Sequence, residues 1–263
     1  MAIKRNTRTH YFMKKVQLHL LDCFYFVRLG IPSAAACRIS SILKRKLPHT
    51  NTLSRSANTE YEPETALFFQ VEKGKCFLDV GANVGIYTKQ LALRGVPVYA
   101  FEPSPKTFEI LRQNTRGLPN VKVFSYALGD KNAEISFYVH EQSNSGYDGL
   151  YNEQQLVSTV YGNKDVKKIK VRVRTLDSFH FKNVGLIKID TEGYEYPILT
   201  GAIQTLKKQK PKLIIEIHEP IWKNDILIMN LLRKIGYKNL TRVWWSSHKK
   251  YHIIGEDEGK VQQ

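Results

Sequence analysis

The sequence has little cysteine, a deficit of acidic residues, and no uninterrupted apolar run long enough to cross a bilayer. Its three cysteines, Cys23, Cys37 and Cys76, show no C-x-x-C spacing. That argues against a disulfide framework or a thiolate metal site and fits reduced thiols packed in a cytosolic-type compartment. The longest apolar stretch, VQLHLLDCFYFVRLGIPSAAA at 16–36, is broken by Asp22 and Arg28. Each charge costs about 2.5–3.5 kcal/mol near a helix centre, roughly what the Val, Leu, Ile and Phe residues of the stretch gain together. A spanning helix of ~20 apolar residues is therefore not expected, and the same charges weaken a signal-peptide reading. Neither of two glycine fingerprints is complete. G-x-G-x-x-G fails because Asn83 and Ile86 stand where glycine is required, and no G-x-x-x-x-G-K-[ST] occurs. Pyrophosphate and triphosphate ligands are disfavoured accordingly.

What is present is basic charge, unevenly placed. Forty Lys and Arg against 24 Asp and Glu leave a net +16 over 263 residues. Residues 1–60 hold eleven of the cations and two of the acids, Asp22 and Glu60. Such an arm suits a polyanionic partner. Lys14 and Lys15 before the 16–36 stretch, and Lys44, Arg45 and Lys46 after it, suit a helix lying on an anionic membrane. A helix packed on the main domain fits equally well. The polar segment LPHTNTLSRSANTE reads as a linker. The expected organisation is a basic N-terminal extension over 1–59 and one domain over 60–263, in a cytoplasmic protein that residues 1–46 would hold peripherally to a membrane.

From residue 76 strand and helix signals alternate. CFLDV is a short apolar run suited to a strand covered on both faces. Helix GIYTKQLALRG, strand VPVYAFEP, and a helix opening on Ser104 as N-cap with Pro105 at its first position follow. VKVFSYALGD and VGLIKID read as strands, EYPILTGAIQTLKKQ as a helix, and KLIIEIHE as a strand. The alternation implies an α/β fold with a mostly parallel sheet and helices on both faces, its ligand at the carboxyl ends of the strands. AEISFYVHE and KKIKVRVRTLD alternate with period two and predict strands with one solvated face. In the second, Lys168, Lys170, Arg172 and Arg174 form a cationic stripe of the kind an edge strand uses against aggregation. The polar, tyrosine-bearing QSNSGYDGLYNEQQ between them reads as an active-site loop.

In DVGANVG, Asp79 ends the first strand and Gly81 and Gly85 flank Asn83. A carboxylate there repels phosphate but can receive an ammonium group. Glu102 closes the second strand, where an acid accepts both hydroxyls of a ribose. An acid for an amine and an acid for a ribose describe S-adenosylmethionine better than a nicotinamide dinucleotide. Taken in order, DVGANVGIYT, AFEPSP, ALGD, RTLDSF and LIKIDTEGYEYPILTGA resemble the FkbM family of S-adenosylmethionine-dependent methyltransferases over about residues 60–219. The resemblance implies the Rossmann-like class I methyltransferase fold and methyl transfer to a hydroxyl, commonly of a sugar or a polyketide-type product. It implies that Asp79, Gly81, Asn83 and Gly85 cradle the methionine part of the cofactor and that Glu102 holds the ribose with Ser104 nearby. Ala127, Leu128 and Asp130 of the ALGD run would line the adenine pocket.

For the chemistry, KIDTEGYE puts Asp190 at the end of a buried strand, with Glu192 and Glu195 following. Asp190 or Glu192 could serve as general base, or as ligand to a divalent cation that acidifies the hydroxyl. Asp190, Glu192 and Glu216 are the hard oxygen donors that Mg²⁺ accepts. Glu216 and His218 are further candidate bases, Glu195 suits a helix start, where its charge complements the dipole, and Trp222, Trp244 and Trp245 read either as core or as a platform for a sugar ring. The expected acceptor is a glycan or glycolipid precursor. An RNA ribose 2′-O-methyltransferase and a non-catalytic cofactor-binding protein are the rivals. The turn DTEG stands where base-amino methyltransferases have (N/D)PPY.

Overall fold

The structure, a computed structural model, describes residues 69–140, 166–218, 225–244 and 250–256. The chain divides into two units, Met1–Ala57 and Asn58–Gln263, and all the described residues belong to the second. The basic extension, the 16–36 segment and the loop at 142–155 lie outside them, as do Trp222, Trp245 and the side chain of Trp244.

In chain order the elements are β1 (Cys76–Val80), α1 (Ile86–Leu93), β2 (Val98–Phe101), α2 (Pro105–Asn114), β3 (Val121–Phe124), β4 (Ala127–Leu128), β5 (Ala133–His140) and β6 (Val166–Arg174). A short 3-10 helix at Leu176–Phe179, β7 (Val184–Ile189), α3 (Glu195–Thr200), α4 (Ile203–Gln209), β8 (Lys212–His218), α5 (Asp225–Lys234), β9 (Asn239–Trp244) and β10 (Lys250–Glu256) follow. The main sheet has the order β3-β2-β1-β7-β8-β10-β9. β3, β2, β1, β7 and β8 are parallel, and β10 runs antiparallel to both its neighbours.

The expected sheet with helices on both faces is what the alternation of side chains builds. Leu78, Val80, Ile187, Ile189 and Ile215 point to one face and pack with Ile198 and Leu199 of α3, Leu206 of α4, and Ile228 and Leu232 of α5. The opposite face at β2 meets α2, where Ala82, Ala100 and Leu111 cluster with Phe108 and Val123. Ser104 sits at the N-cap of α2 with Pro105 behind it, as expected. Over β2 and β3 the first face is covered by rings: Phe179 and Phe181 stack at 5.4 Å, and Phe101 and Phe124 lie 5.2 and 5.4 Å from Phe179.

Several sequence expectations are corrected. VKVFSYALGD is two strands, because the chain leaves the main sheet after Phe124 and Ala127–Leu128 pairs instead with the end of β6. β6 is the middle strand of a three-stranded sheet, β4-β6-β5. Among the described residues β4 pairs only with the end of β6, at Val173 and Arg174, and Lys168 and Lys170 are exposed as the period-two pattern predicts. Arg174 departs from that pattern: it is half-buried, its guanidinium 5.2 Å from the Phe179 ring centroid.

EYPILTGAIQTLKKQ is two helices. A Cβ on Gly201 would lie 1.9 Å from the Gly129 carbonyl oxygen, so the chain passes there without a side chain and the helix restarts. The restart is capped from outside. Asp177 accepts hydrogen bonds from the backbone N–H of Gln204 at 2.9 Å and of Thr205 at 2.8 Å, and from the Thr205 hydroxyl at 2.7 Å. The two N–H donors are orphan groups of a helix start, and a carboxylate also complements its dipole. Asp177→Ala is expected to destabilise the fold by about 1–2 kcal/mol, the scale of a lost N-cap. Urea unfolding would read this as a lowered midpoint at constant slope, and an unmoved midpoint would contradict it.

Candidate functional site

The glycine turn and the tip of β7 meet directly. β1 and β7 pair in parallel with Asp79 beside Lys188 and Val80 beside Ile189, and the Asp190 N–H donates to the Val80 carbonyl at 3.1 Å. Gly81, at φ 73°, comes next. A Cβ there would lie 1.8 Å from the Asp190 carbonyl oxygen. The missing side chain thus lets two strand tips touch. Gly85, at φ 87°, opens α1 and leaves room for Leu111, whose Cδ1 would stand 2.5 Å from an added Cβ. Between them Asn83 takes φ 51°, in the left-handed region where asparagine is favoured. Its amide oxygen is buried with no hydrogen-bond partner among the described residues.

Glu102 is buried at the end of β2. One of its oxygens accepts from the Asn83 N–H at 3.0 Å and the other from the Ser104 N–H at 2.9 Å. The carboxylate is thereby fixed in orientation between the turn and the start of α2. The Ser104 hydroxyl accepts from Thr107 at 3.2 Å. Of the ALGD run, Leu128 belongs to the main core, Ala127 packs with Phe137, Val171 and Val173, and Asp130 is exposed. Tyr194 stands close to that acid, and its phenol is pushed up by burial and then by the Asp130 charge.

Asp79 is 0% exposed. It accepts the Thr88 hydroxyl at 2.6 Å, and its other oxygen lies 3.7 Å from the Lys188 ammonium. The ammonium facing Asp79 is thus one the chain itself supplies. Lys188 stands 3.2 Å from Asp190 Oδ2, donates to the Gly81 carbonyl at 3.2 Å, and lies 5.4 Å from the Tyr87 ring centroid. Burial works against a charged Lys188, but Asp190 and then Asp79 outweigh it and raise its pKa above the ordinary lysine range. Burial likewise pushes the Asp79 carboxyl up, with Lys188 and Thr88 pulling the other way. Those two directions compete. The shorter contact identifies Asp190 as the carboxylate that principally shares the lysine's charge.

The DTEG turn is braced from within. Glu192 takes φ 54° and Gly193 φ 103°. Glu195, 2% exposed, accepts the Gly193 N–H at 2.9 Å and the Thr191 hydroxyl at 3.3 Å. Its expected place at a helix start is observed, and it also holds the loop that carries Glu192. On β8, Glu216 is buried and faces His252 of β10, with 3.8 Å between Oε2 and Nε2. His218 ends β8, and its side chain lies outside the described residues. Among the described residues no three His, Cys, Asp or Glu are grouped to hold a metal ion. The divalent cation that Asp190, Glu192 and Glu216 left open as an alternative has no such cluster behind it.

Sequence reasoning missed Lys188 and His252. Lys188 was visible as the one charge in the otherwise apolar VGLIKI, a strand buried along its length. His252 depends on β10, whose pairing with β8 has no local signal.

The model of the methyltransferase FkbM domain matches residues 79–238. Hexuronic acid methyltransferase AglP of Haloferax volcanii is 25% identical over 65% of this chain and 68% of its own length. The 2-O-methyltransferase NoeI of Sinorhizobium fredii is 28% identical over 51% of this chain, which spans 59% of that protein. The crystal structure of methyltransferase FkbM from Methylobacillus flagellatus aligns over 96% of this chain and 72% of that one, at 17% identity and a TM-score of 0.49. With the family match running from Asp79 in β1 to Lys238 beyond α5, the chain belongs to the FkbM family of S-adenosylmethionine-dependent methyltransferases.

Proposed function

We propose that the protein methylates a hydroxyl of a sugar in a glycan or glycolipid precursor, with Asp190 as the general base. The observation behind this reading is the direct contact of the cofactor turn with the strand tip that bears Asp190. The residues of the turn suit S-adenosylmethionine. Glu102 is oriented by two N–H groups for a ribose diol, and the Asn83 amide oxygen is a buried acceptor with no partner among the described residues. When bound, S-adenosylmethionine supplies an electrophilic methyl on a sulfonium, with a neutral thioether as the leaving group.

The chain's contribution is alignment and proton removal. Asp190 takes the hydroxyl proton as the oxygen–carbon bond forms, and Lys188 keeps that carboxylate in place beside the turn. Glu192, on the turn braced by Glu195, orients the acceptor. The sugar assignment draws on the two relatives, one a hexuronic acid methyltransferase and one a 2-O-methyltransferase.

Incubating the protein with methyl-labelled S-adenosylmethionine and separate glycan, lipid and RNA fractions tests the acceptor. Label is expected in the glycan fraction or in lipid-linked sugar, and removable with the sugar by glycosidic cleavage. Label confined to RNA would replace this reading with ribose methylation.

A further inference from the structure

We propose that Lys188 is a positioning residue: its ammonium ties Asp190 to the cofactor turn, so that the base and the cofactor seat are set as one unit. The inference rests on the proposed role of Asp190. Its three anchors come from two stretches of chain, β1 with the turn that follows it and the tip of β7. Asp79 belongs to β1, the Gly81 carbonyl to the turn, and Asp190 to the tip of β7. Asp79 is in turn held by the Thr88 hydroxyl, which brings α1 into the same chain of contacts.

Stability alone does not account for a lysine here. Its side chain is 7% exposed in a strand that is otherwise apolar. Moving an ion out of water costs several kcal/mol even after relaxation, and a well-packed apolar residue in place of a buried ion pair is often as stable or more so. A methionine of similar length would fill the volume. What it could not do is hold a carboxylate and a backbone carbonyl at fixed positions from one point. Asp190, with 28% of its side chain exposed, is the member of the cluster that a substrate can reach. Asp79, at 0%, is not. Lys188 itself is no base, since two carboxylates hold its proton. Glu216 adds to the field on the lysine from β8, so the network reaches across β1, β7 and β8.

The test compares Lys188→Met, Lys188→Arg and the double variant Asp79→Asn/Lys188→Met with wild type. S-adenosylhomocysteine binding is read by calorimetry, and turnover with labelled S-adenosylmethionine on the glycan fraction. Lys188→Met is expected to lower kcat about 10²-fold, the effect of a reacting group misplaced by an ångström, with the acceptor KM nearly unchanged. Binding of S-adenosylhomocysteine should weaken about tenfold, the scale of one charge-assisted hydrogen bond. Lys188→Arg should recover most of both. The double variant removes a buried charge of each sign and gives the same readouts should the single variant prove too unstable to assay.

Wild-type kcat and affinity in a folded Lys188→Met or double variant would overturn the inference, as would a loss confined to thermal stability. Asp190→Asn in the same assay separates the two proposals. Full activity there refutes the base assignment, whereas loss there beside an active Lys188→Met refutes this inference alone.

Discussion

Asp190→Asn should lower methyl transfer by about 10²–10⁴-fold, the contribution of a positioned general base, while S-adenosylhomocysteine binding stays within a few-fold of wild type. Asparagine keeps the shape of the side chain and can still hydrogen-bond Lys188, but it cannot take up the acceptor's proton. The turn is held by bonds that the substitution leaves in place: the Asp190 N–H on the Val80 carbonyl, Lys188 on the Gly81 carbonyl, and Glu102 on the Asn83 and Ser104 N–H groups. Binding and chemistry should therefore separate. Glu192→Gln is the companion measurement. Glu192 sits two residues on, in a left-handed conformation on the turn that Glu195 braces, so its loss should act more on the acceptor KM than on kcat. Initial rates per folded molecule, with folding checked by circular dichroism, decide the matter. An unchanged kcat for Asp190→Asn beside a collapsed kcat for Glu192→Gln would exchange the two roles.

The parts of this site that were legible in the sequence are those whose cause is local. A buried run ending in DVGANVG announces strand, turn and helix because positive φ at consecutive short intervals needs glycine or asparagine, and Gly81, Asn83 and Gly85 adopt it. Ser104 followed by Pro105 marks a helix start for equally local reasons. The parts that were not legible are long-range. Asp177 caps a helix that begins 26 residues later, and no spacing rule connects them. β4 leaves the main sheet because β6, some 45 residues on, offers its edge. The reason for Gly81 was only half visible: it was expected to help cradle the cofactor, and the nearest atom to its absent Cβ is the backbone of Asp190, just past β7. Lys188 was in plain view inside VGLIKI, but its partners are chosen by register, with Asp79 standing beside it on the neighbouring strand.

Gly81→Ala is expected to be the most damaging small substitution in the domain, destabilising it by about 3–5 kcal/mol, in the range reserved for backbone strain combined with a steric clash. Two costs add. A left-handed residue with a Cβ loses about 1–2 kcal/mol relative to glycine, and Gly81 sits at φ 73°. The larger cost is geometric. A Cβ placed 1.8 Å from the Asp190 carbonyl oxygen meets backbone, which cannot swing aside as a side chain would. Either β1 or β7 must shift, and the shift moves Asp190 away from the Lys188 ammonium that fixes it. Gly117→Ala separates the terms: its φ is 83°, and an added Cβ there would have no atom within 4 Å. It should cost about 1–2 kcal/mol, the conformational term alone. Chemical denaturation of both variants gives the steric term by difference. Turnover of the folded fraction then shows whether the displaced strand tip carries the base with it, because Gly117→Ala should keep full activity while Gly81→Ala loses it. Equal destabilisation by the two substitutions would mean that the strand tips do not touch, and the coupling of cofactor turn to catalytic carboxylate would fall with that contact.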